Sequence, residues 1–312
     1  MEYNKPAFTH FHSIVIFLSL FFLSAGCGIN DADETTEDLS DLGVTGNSVT
    51  YEIESRNISG FFSPSGQVRF EELNDGSTII SVDIGETISG AQHPVHIRNN
   101  AAIEGGPIVL NLNPVNGDTG LSETIVSNLD DDTPIQYSSL VTFDGHISID
   151  MGEGEDADVM ASGDIGSNKL TGQFESYKLS ERNDSGISGS VLFEERNNNN
   201  TLVSTELNGT SPERNHPVYI YNNSAEEGGD IFLSIGTVDG QTGIGQSNIR
   251  ADVQGSGNLT YSILLNFNGH VNVHLNENDF TPAATGNIGS NQEEFPEEDD
   301  EDEDENENGS DF

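Results

Sequence analysis

The chain is expected to fold as all-β, in two tandem antiparallel β-sandwich or barrel domains. Three observations predict this. Short segments alternate apolar and polar residues and are punctuated by Asn, Asp and Gly, the pattern of half-buried strands joined by tight turns. No long stretch beyond the amino terminus carries a helical apolar stripe, which a surface helix would need. Finally, the chain repeats itself. His93-Pro94-Val95-His96-Ile97-Arg98-Asn99-Asn100, running on to Glu104-Gly105-Gly106, returns 123 positions later as His216-Pro217-Val218-Tyr219-Ile220-Tyr221-Asn222-Asn223 and Glu227-Gly228-Gly229.

From the amino terminus, Ser13 to Gly26 is an unbroken run of apolar and small residues behind a start containing Lys5. It is short for a membrane span and has the form of a secretory signal peptide, expected over residues 1–26. The segment Leu23-Ser24-Ala25-Gly26-Cys27 resembles a bacterial lipobox, with Ser24 where Leu is commoner. That resemblance implies lipidation of Cys27, the only cysteine of the chain. A single cysteine also excludes an internal disulfide framework. Several acyl chains on one residue make a durable anchor, so a membrane partner through that lipid is expected. Residues 27–45 are acidic and read as a solvated tether. They resemble the acidic segment behind the cysteine that directs Bacteroidetes-type lipoproteins to the outer cell surface. That resemblance implies an outer-membrane lipoprotein exposed on the surface.

Residues 46–168 and 169–291 are assigned as the two domains. Phe70-Glu71-Glu72 answers Phe193-Glu194-Glu195, and Asp118-Thr119-Gly120 answers Gln241-Thr242-Gly243. Phe143-Asp144-Gly145-His146 answers Phe267-Asn268-Gly269-His270 one residue out of step, and Gly163 to Asn168 answers Gly286 to Asn291 back in step. An offset that recovers in this way reflects duplication of a whole domain, too long for a solenoid unit. In the first copy strands are expected near Thr50–Glu54, Gly66–Glu72, Thr78–Ile84, Val95–Asn99, Ile108–Leu112, Ile135–Phe143, His146–Asp150 and Asp158–Asp164. Glu-Gly-Gly and Asn116-Gly117 are expected to supply positive-φ turn positions. Residues 292–312 are almost wholly acidic and Asn-rich, and composition predicts a disordered tail.

The repeated motifs resemble those of the CHRD family, the domain found repeatedly in the extracellular antagonist chordin and in microbial secreted proteins. The residues that carry the resemblance are His-Pro-Val-x-Ile with Asn-Asn and Glu-Gly-Gly, the Phe-x-Gly-His strand, and the closing Gly-(Asp/Asn)-Ile-Gly. It spans both repeats and implies an extracellular β-domain without established catalysis, at most an interaction module.

Charge narrows the partners. A formal net charge of −44, from 54 acidic and 10 basic residues, excludes nucleic acid, whose binding requires clustered Lys and Arg. Cationic partners and divalent ions fit better, as does plain solvation. A protein or polysaccharide partner at the cell surface is the expectation.

Chemistry is weighed on the histidines. On a strand, residues two apart share a face, so His270, Asn272 and His274 point one way, with His216 a neighbour candidate. In the first copy the same face carries His146, Ser148 and Asp150, with His93 and His96 in addition. Zinc or copper could take such ligands. His93-x-x-His96 and Gly163-Asp164-Ile165-Gly166-Ser167-Asn168 also resemble segments of copper/zinc superoxide dismutase. Against this, His96 becomes Tyr219 and Asp150 becomes His274, so only His93/His216 and His146/His270 are shared, and a shared His near a strand end is commonly a hydrogen-bonded structural residue. Asp130-Asp131-Asp132 and Glu153-Gly154-Glu155-Asp156 could meet calcium, although neither matches an EF-hand loop or a repeated calcium nonapeptide. With no catalytic constellation in view, a non-enzymatic protein without a required cofactor is the reading. Its alternatives are a cation-binding structural envelope protein and a copper/zinc metalloprotein.

Overall fold

The computed structural model describes residues 43–56, 63–152, 154, 157–252 and 258–292. The signal peptide, Cys27, most of the tether and all but the first residue of the tail lie outside them. The strands of the first copy are β1 (Val44–Ser55), β2 (Gly66–Leu73), β3 (Thr78–Ile84), β4 (Gln92–Asn99), β5 (Ile108–Asn116), β6 (Leu121–Val126), β7 (Asp144–Asp150) and β8 (Val159–Gly166), with a one-turn helix α1 (Tyr137–Leu140) between β6 and β7. The second copy repeats them as β9 (Leu170–Glu181), β10 (Ser188–Arg196), β11 (Thr201–Asn208), β12 (His216–Asn222), β13 (Ile231–Val238), β14 (Ile244–Ile249), α2 (Tyr261–Leu264), β15 (Asn268–Asn276) and β16 (Asp279–Gly289).

The first eight strands close into an antiparallel barrel in the order β1-β2-β3-β6-β5-β4-β7-β8. The second eight follow the same order as a sheet with β13 and β14 at its edges. The β3–β4 and β6–β7 connections cross over two strands, a Greek-key arrangement that only long-range pairing can assemble.

Alternation explains the cores. Tyr51 and Ile53, Val68 and Phe70, Ile80 and Val82, Val95 and Ile97, and Ile147 and Ile149 all point inward and are buried. Each such side chain contributes about 1.5–3 kcal/mol when removed from water. The second core repeats the pattern around Tyr177, Phe193, Val218, Ile220, Val271 and Val273. One aromatic contact recurs in both: Tyr51 meets Phe70 edge-on at 5.3 Å, and Tyr177 meets Phe193 at 5.3 Å. Tyr51 pairs with Val68 and Tyr177 with Val191, so β1 and β9 correspond at an offset of 126 rather than 123. Three extra residues hide this part of the duplication in the sequence.

Two expectations are corrected. Ile135–Phe143 is not a strand: Ile135 and Leu140 are buried at either end of the α1 turn, and the residues between them are largely outside the core. Leu121–Val126 is a strand that the pattern concealed, because its apolar Leu121 and Ile125 face outward at 52 % and 38 % exposure. The turns also differ in detail. Gly105, Asn100 and their counterparts Gly228 and Asn223 do take positive φ, whereas in the Asn116-Gly117 turn it is Gly120 that does so. Gly117 is needed for another reason, because a Cβ there would collide with the Ile88 carbonyl.

Only three residues separate β8 from β9, and side chains tie the two sheets together. Arg196, at the end of β10 and 1 % exposed, donates from Nη1 to Asp164 Oδ2 of β8 at 2.6 Å and to the Asn168 carbonyl at 2.5 Å. Arg250 donates to Glu104 at 2.7 Å and to Asn100 Oδ1 at 2.8 Å, and Asn248 joins it on Glu104 at 3.0 Å. Residues 43–292 thus belong to one compact unit.

Candidate functional site

Strand β7 is buried on both faces. Ile147 and Ile149 face the barrel core, while His146, Ser148 and Asp150 face outward and are still nearly inaccessible. The cover comes from β4 and from the loop carrying Asn-Asn and Glu-Gly-Gly. His146 Nδ1 donates to the Asn100 carbonyl at 2.9 Å, and Ala102 N–H donates to Asp164 Oδ1 at 2.7 Å. The second copy builds the same closure: His270 Nδ1 donates to the Asn223 carbonyl at 2.8 Å and Ala225 N–H to Asn287 Oδ1 at 2.8 Å. Gly106 and Gly229 allow the loop to return, since a Cβ on either would strike the Asn99 or Asn222 carbonyl. The shared motif is therefore a loop-closing device.

His93, His216 and His274 are held in the same manner. His93 Nδ1 donates to the Met151 carbonyl at 3.2 Å while its Nε2 accepts from Ile88 N–H at 3.2 Å. His216 Nδ1 donates to the His274 carbonyl at 3.0 Å, and its buried Nε2 has no partner among the described residues. His274 Nδ1 donates to the Phe280 carbonyl at 2.7 Å. A carbonyl can only accept, so each of these rings carries its proton on Nδ1. Burial pushes His146 and His274 below the ordinary histidine pKa, against the opposing pull of their hydrogen-bonded carbonyls.

The two copies fill the outer face differently. In the first, Asp150 lies 3.3 Å from His96 Nε2 and 3.6 Å from Arg98, which also donates to Ser148 at 2.9 Å. In the second, the three corresponding positions hold Tyr219, Tyr221 and His274. There Tyr221 stacks on His270 with centroids 5.2 Å apart, and its hydroxyl meets His274 Nε2 at 3.0 Å. A charged cluster has been exchanged as a set for an aromatic one, and each arrangement satisfies most of its buried polar atoms.

Among the described residues, no group of three or more His, Cys, Asp or Glu side chains is arranged to hold a metal ion. Tyr221 brings His270 and His274 into one neighbourhood, and His216 touches that neighbourhood through the His274 main chain. Asp130 is engaged with Asn111 and Asp131 with Thr133 N–H, as turn-forming acceptors. Of the acidic loop at 153–156, only Gly154 is among the described residues.

Arginines were the residues that sequence reasoning missed. Arg56 N–H donates to the Met160 carbonyl and Arg182 N–H to the Ala283 carbonyl, so these arginines occupy corresponding places at the end of β1 and β9. In the second copy Arg182, Tyr221, His270 and Asn272 line a pocket of about 220 Å³. In the first, Arg56 and Asp164 open onto a larger cleft of about 470 Å³ that also takes in Leu202 and Gln246 of the second sheet. The signal that could have found them is rarity: ten cationic residues in an acidic chain are each worth placing.

Comparison of the chain with protein-family models, curated proteins and solved structures returns no match.

Proposed function

We propose that the chain is a lipid-anchored cell-envelope protein, exposed at the outer surface, whose two CHRD-like domains act as a non-catalytic binding or adhesion module. The observation that supports this reading best is what the duplicated residues are used for. His146/His270, Asn100/Asn223 and the Glu-Gly-Gly loops are spent on main-chain bonds that build a closed wall beside a pocket. Residues retained in both copies thus shape a surface rather than present a nucleophile or general base, groups that must reach substrate. Side-chain bonds tie the two sheets together, and a surface preformed in this way lowers the entropic cost of binding.

The test uses the soluble tandem, made from the mature chain with Cys27→Ser, applied to washed envelopes and to extracellular polysaccharide of the producing cell. Saturable retention is expected, and its absence on both materials would remove the reading. Palmitate incorporation into the full-length chain is expected to vanish with Cys27→Ser, and labelling that persisted would overturn the anchor. Metal analysis of the untagged protein separates the alternatives. Stoichiometric zinc or copper lost in His270→Ala and His274→Ala would favour a metalloprotein instead, and calcium bound at the acidic loops a structural cation-binding protein.

A further inference from the structure

The cleft between the two sheets has a chemistry unlike the rest of the chain. Its lining holds Arg56, Lys169 and Arg196 against Glu52, Glu54 and Asp164. Three of the ten cationic residues therefore meet at one place where charges balance, within a molecule of net charge −44. Arg196 is committed to Asp164. Arg56 and Lys169 form no ion pair among the described residues: Arg56 donates to the Ala102 carbonyl at 3.3 Å, and Lys169 stands 5.7 Å over the Tyr51 ring. Both residues are exposed. Ser55 Oγ and Ser162 Oγ lie in the wall and have no partners among the described residues. Ile103, Leu170 and Leu202 supply apolar surface beside these groups. A volume of about 470 Å³ falls within the range of small-ligand sites, about 300–1,000 Å³.

We propose that this cleft binds an acidic saccharide, a hydroxyl-rich ligand carrying one carboxylate on a sugar ring, as in a uronic acid unit. The proposal rests on the binding-module reading and names its ligand class. A single carboxylate fits the two unpaired cations, and charge-assisted bonds to Arg and Lys are the strong ones. Ring hydroxyls, which both donate and accept, suit the exposed carboxylates Glu52 and Glu54 and the amide of Gln246. The C–H face of a pyranose suits the three aliphatic side chains. Densely charged anions are disfavoured by the field of the whole chain. The site is composite, because Leu202 and Gln246 come from the second sheet and Arg56 and Glu54 from the first, so neither sheet holds it alone.

The experiment titrates the Cys27→Ser mature chain with cellobiouronic acid and with cellobiose, which lacks the carboxylate, followed by NMR and calorimetry. Cellobiouronic acid is expected to bind, and cellobiose to bind about tenfold more weakly, the size of one charge-assisted contact. Arg56→Gln with Lys169→Gln, at exposed positions where the fold is unaffected, is expected to erase that preference, and Leu202→Trp to weaken both sugars by filling the cleft. Equal affinity for the two sugars, no binding of either up to about 10 mM (a ceiling near −2.7 kcal/mol), or a preference that survives the double variant would each overturn the proposal. Retention on envelope polysaccharide that persists in the double variant would leave the binding module standing and remove only this cleft.

Discussion

Arg196 is the most deeply buried of the charged side chains that tie the two sheets together, and the duplication supplies its own control. The corresponding position of the first copy is Leu73, which is buried at 3 % exposure, so Arg196→Leu installs a side chain that this fold already accommodates there. What it removes is the 2.6 Å ion pair to Asp164 and the bond to the Asn168 carbonyl. Deleting one partner of a buried pair costs about 3–5 kcal/mol because the other charge is left uncompensated. The Asp164 side chain retains 22 % exposure and can recruit water, which places the expected loss near the lower end, about 3 kcal/mol. Asp164→Asn in the Arg196→Leu background imports the residue of the second copy, Asn287, which still accepts the loop N–H. That change is expected to recover about half the loss, the unpaired Asn168 carbonyl accounting for a remaining 1–2 kcal/mol or so. Urea unfolding followed by circular dichroism suits a chain with seven Tyr and no Trp. One transition is expected for the parent, and two separated transitions for Arg196→Leu. A loss below about 0.5 kcal/mol, within the range of ordinary surface substitutions, would refute the reasoning. So would a double variant whose losses simply add.

Three further outcomes follow from the same geometry. His146 and His274 are pushed below the ordinary histidine pKa by burial, so the unfolded chain binds more protons than the native one. Stability should therefore be fully present above about pH 6.5 and decline as pH falls below it, a trend that thermal melts from pH 7.5 to 5 will read and that a flat profile would contradict. Glu194 is shifted the other way, its carboxyl raised by burial despite the opposing pull of Arg196. Its ionisation costs stability as pH rises through and above the carboxylate range, so Glu194→Gln should melt higher than the parent at pH 7 and lose that advantage near pH 4. Gly166→Ala should cost about 2–4 kcal/mol, combining a left-handed backbone with a Cβ driven into the Phe143 carbonyl. A melt within a degree of the parent would show that the closing turn can relax.

Much of the fold was legible because strand alternation and turn chemistry are local. Val95 and Ile97 or Val271 and Val273 announce an inward face from the sequence alone. Where the reading failed, the cause was tertiary. Leu121–Val126 turns its larger apolar residues outward, so no inward stripe marked it, and Leu140 is buried by one helical turn in a stretch that alternates like a strand. Tyr51 and Tyr177 are partners across the repeats, yet three added residues between β1 and β2 of the first copy put them out of step. The candidate site was half legible. His93, His146, His216 and His270 stood out as shared, but which ring nitrogen each commits, and to which carbonyl, depends on loops folding back over β7 and β15.

The sequence by itself determined the duplication, the all-β character and the places where the backbone must turn, because these follow from periodicity and from what Gly and Asn permit at positive φ. Only the tertiary structure decided that β3 pairs with β6, that Arg56 and Arg182 take equivalent positions, and that Arg196 reaches from one sheet into the other. Those facts join residues far apart along the chain, and nothing in the spacing of a strand records which distant strand will lie beside it.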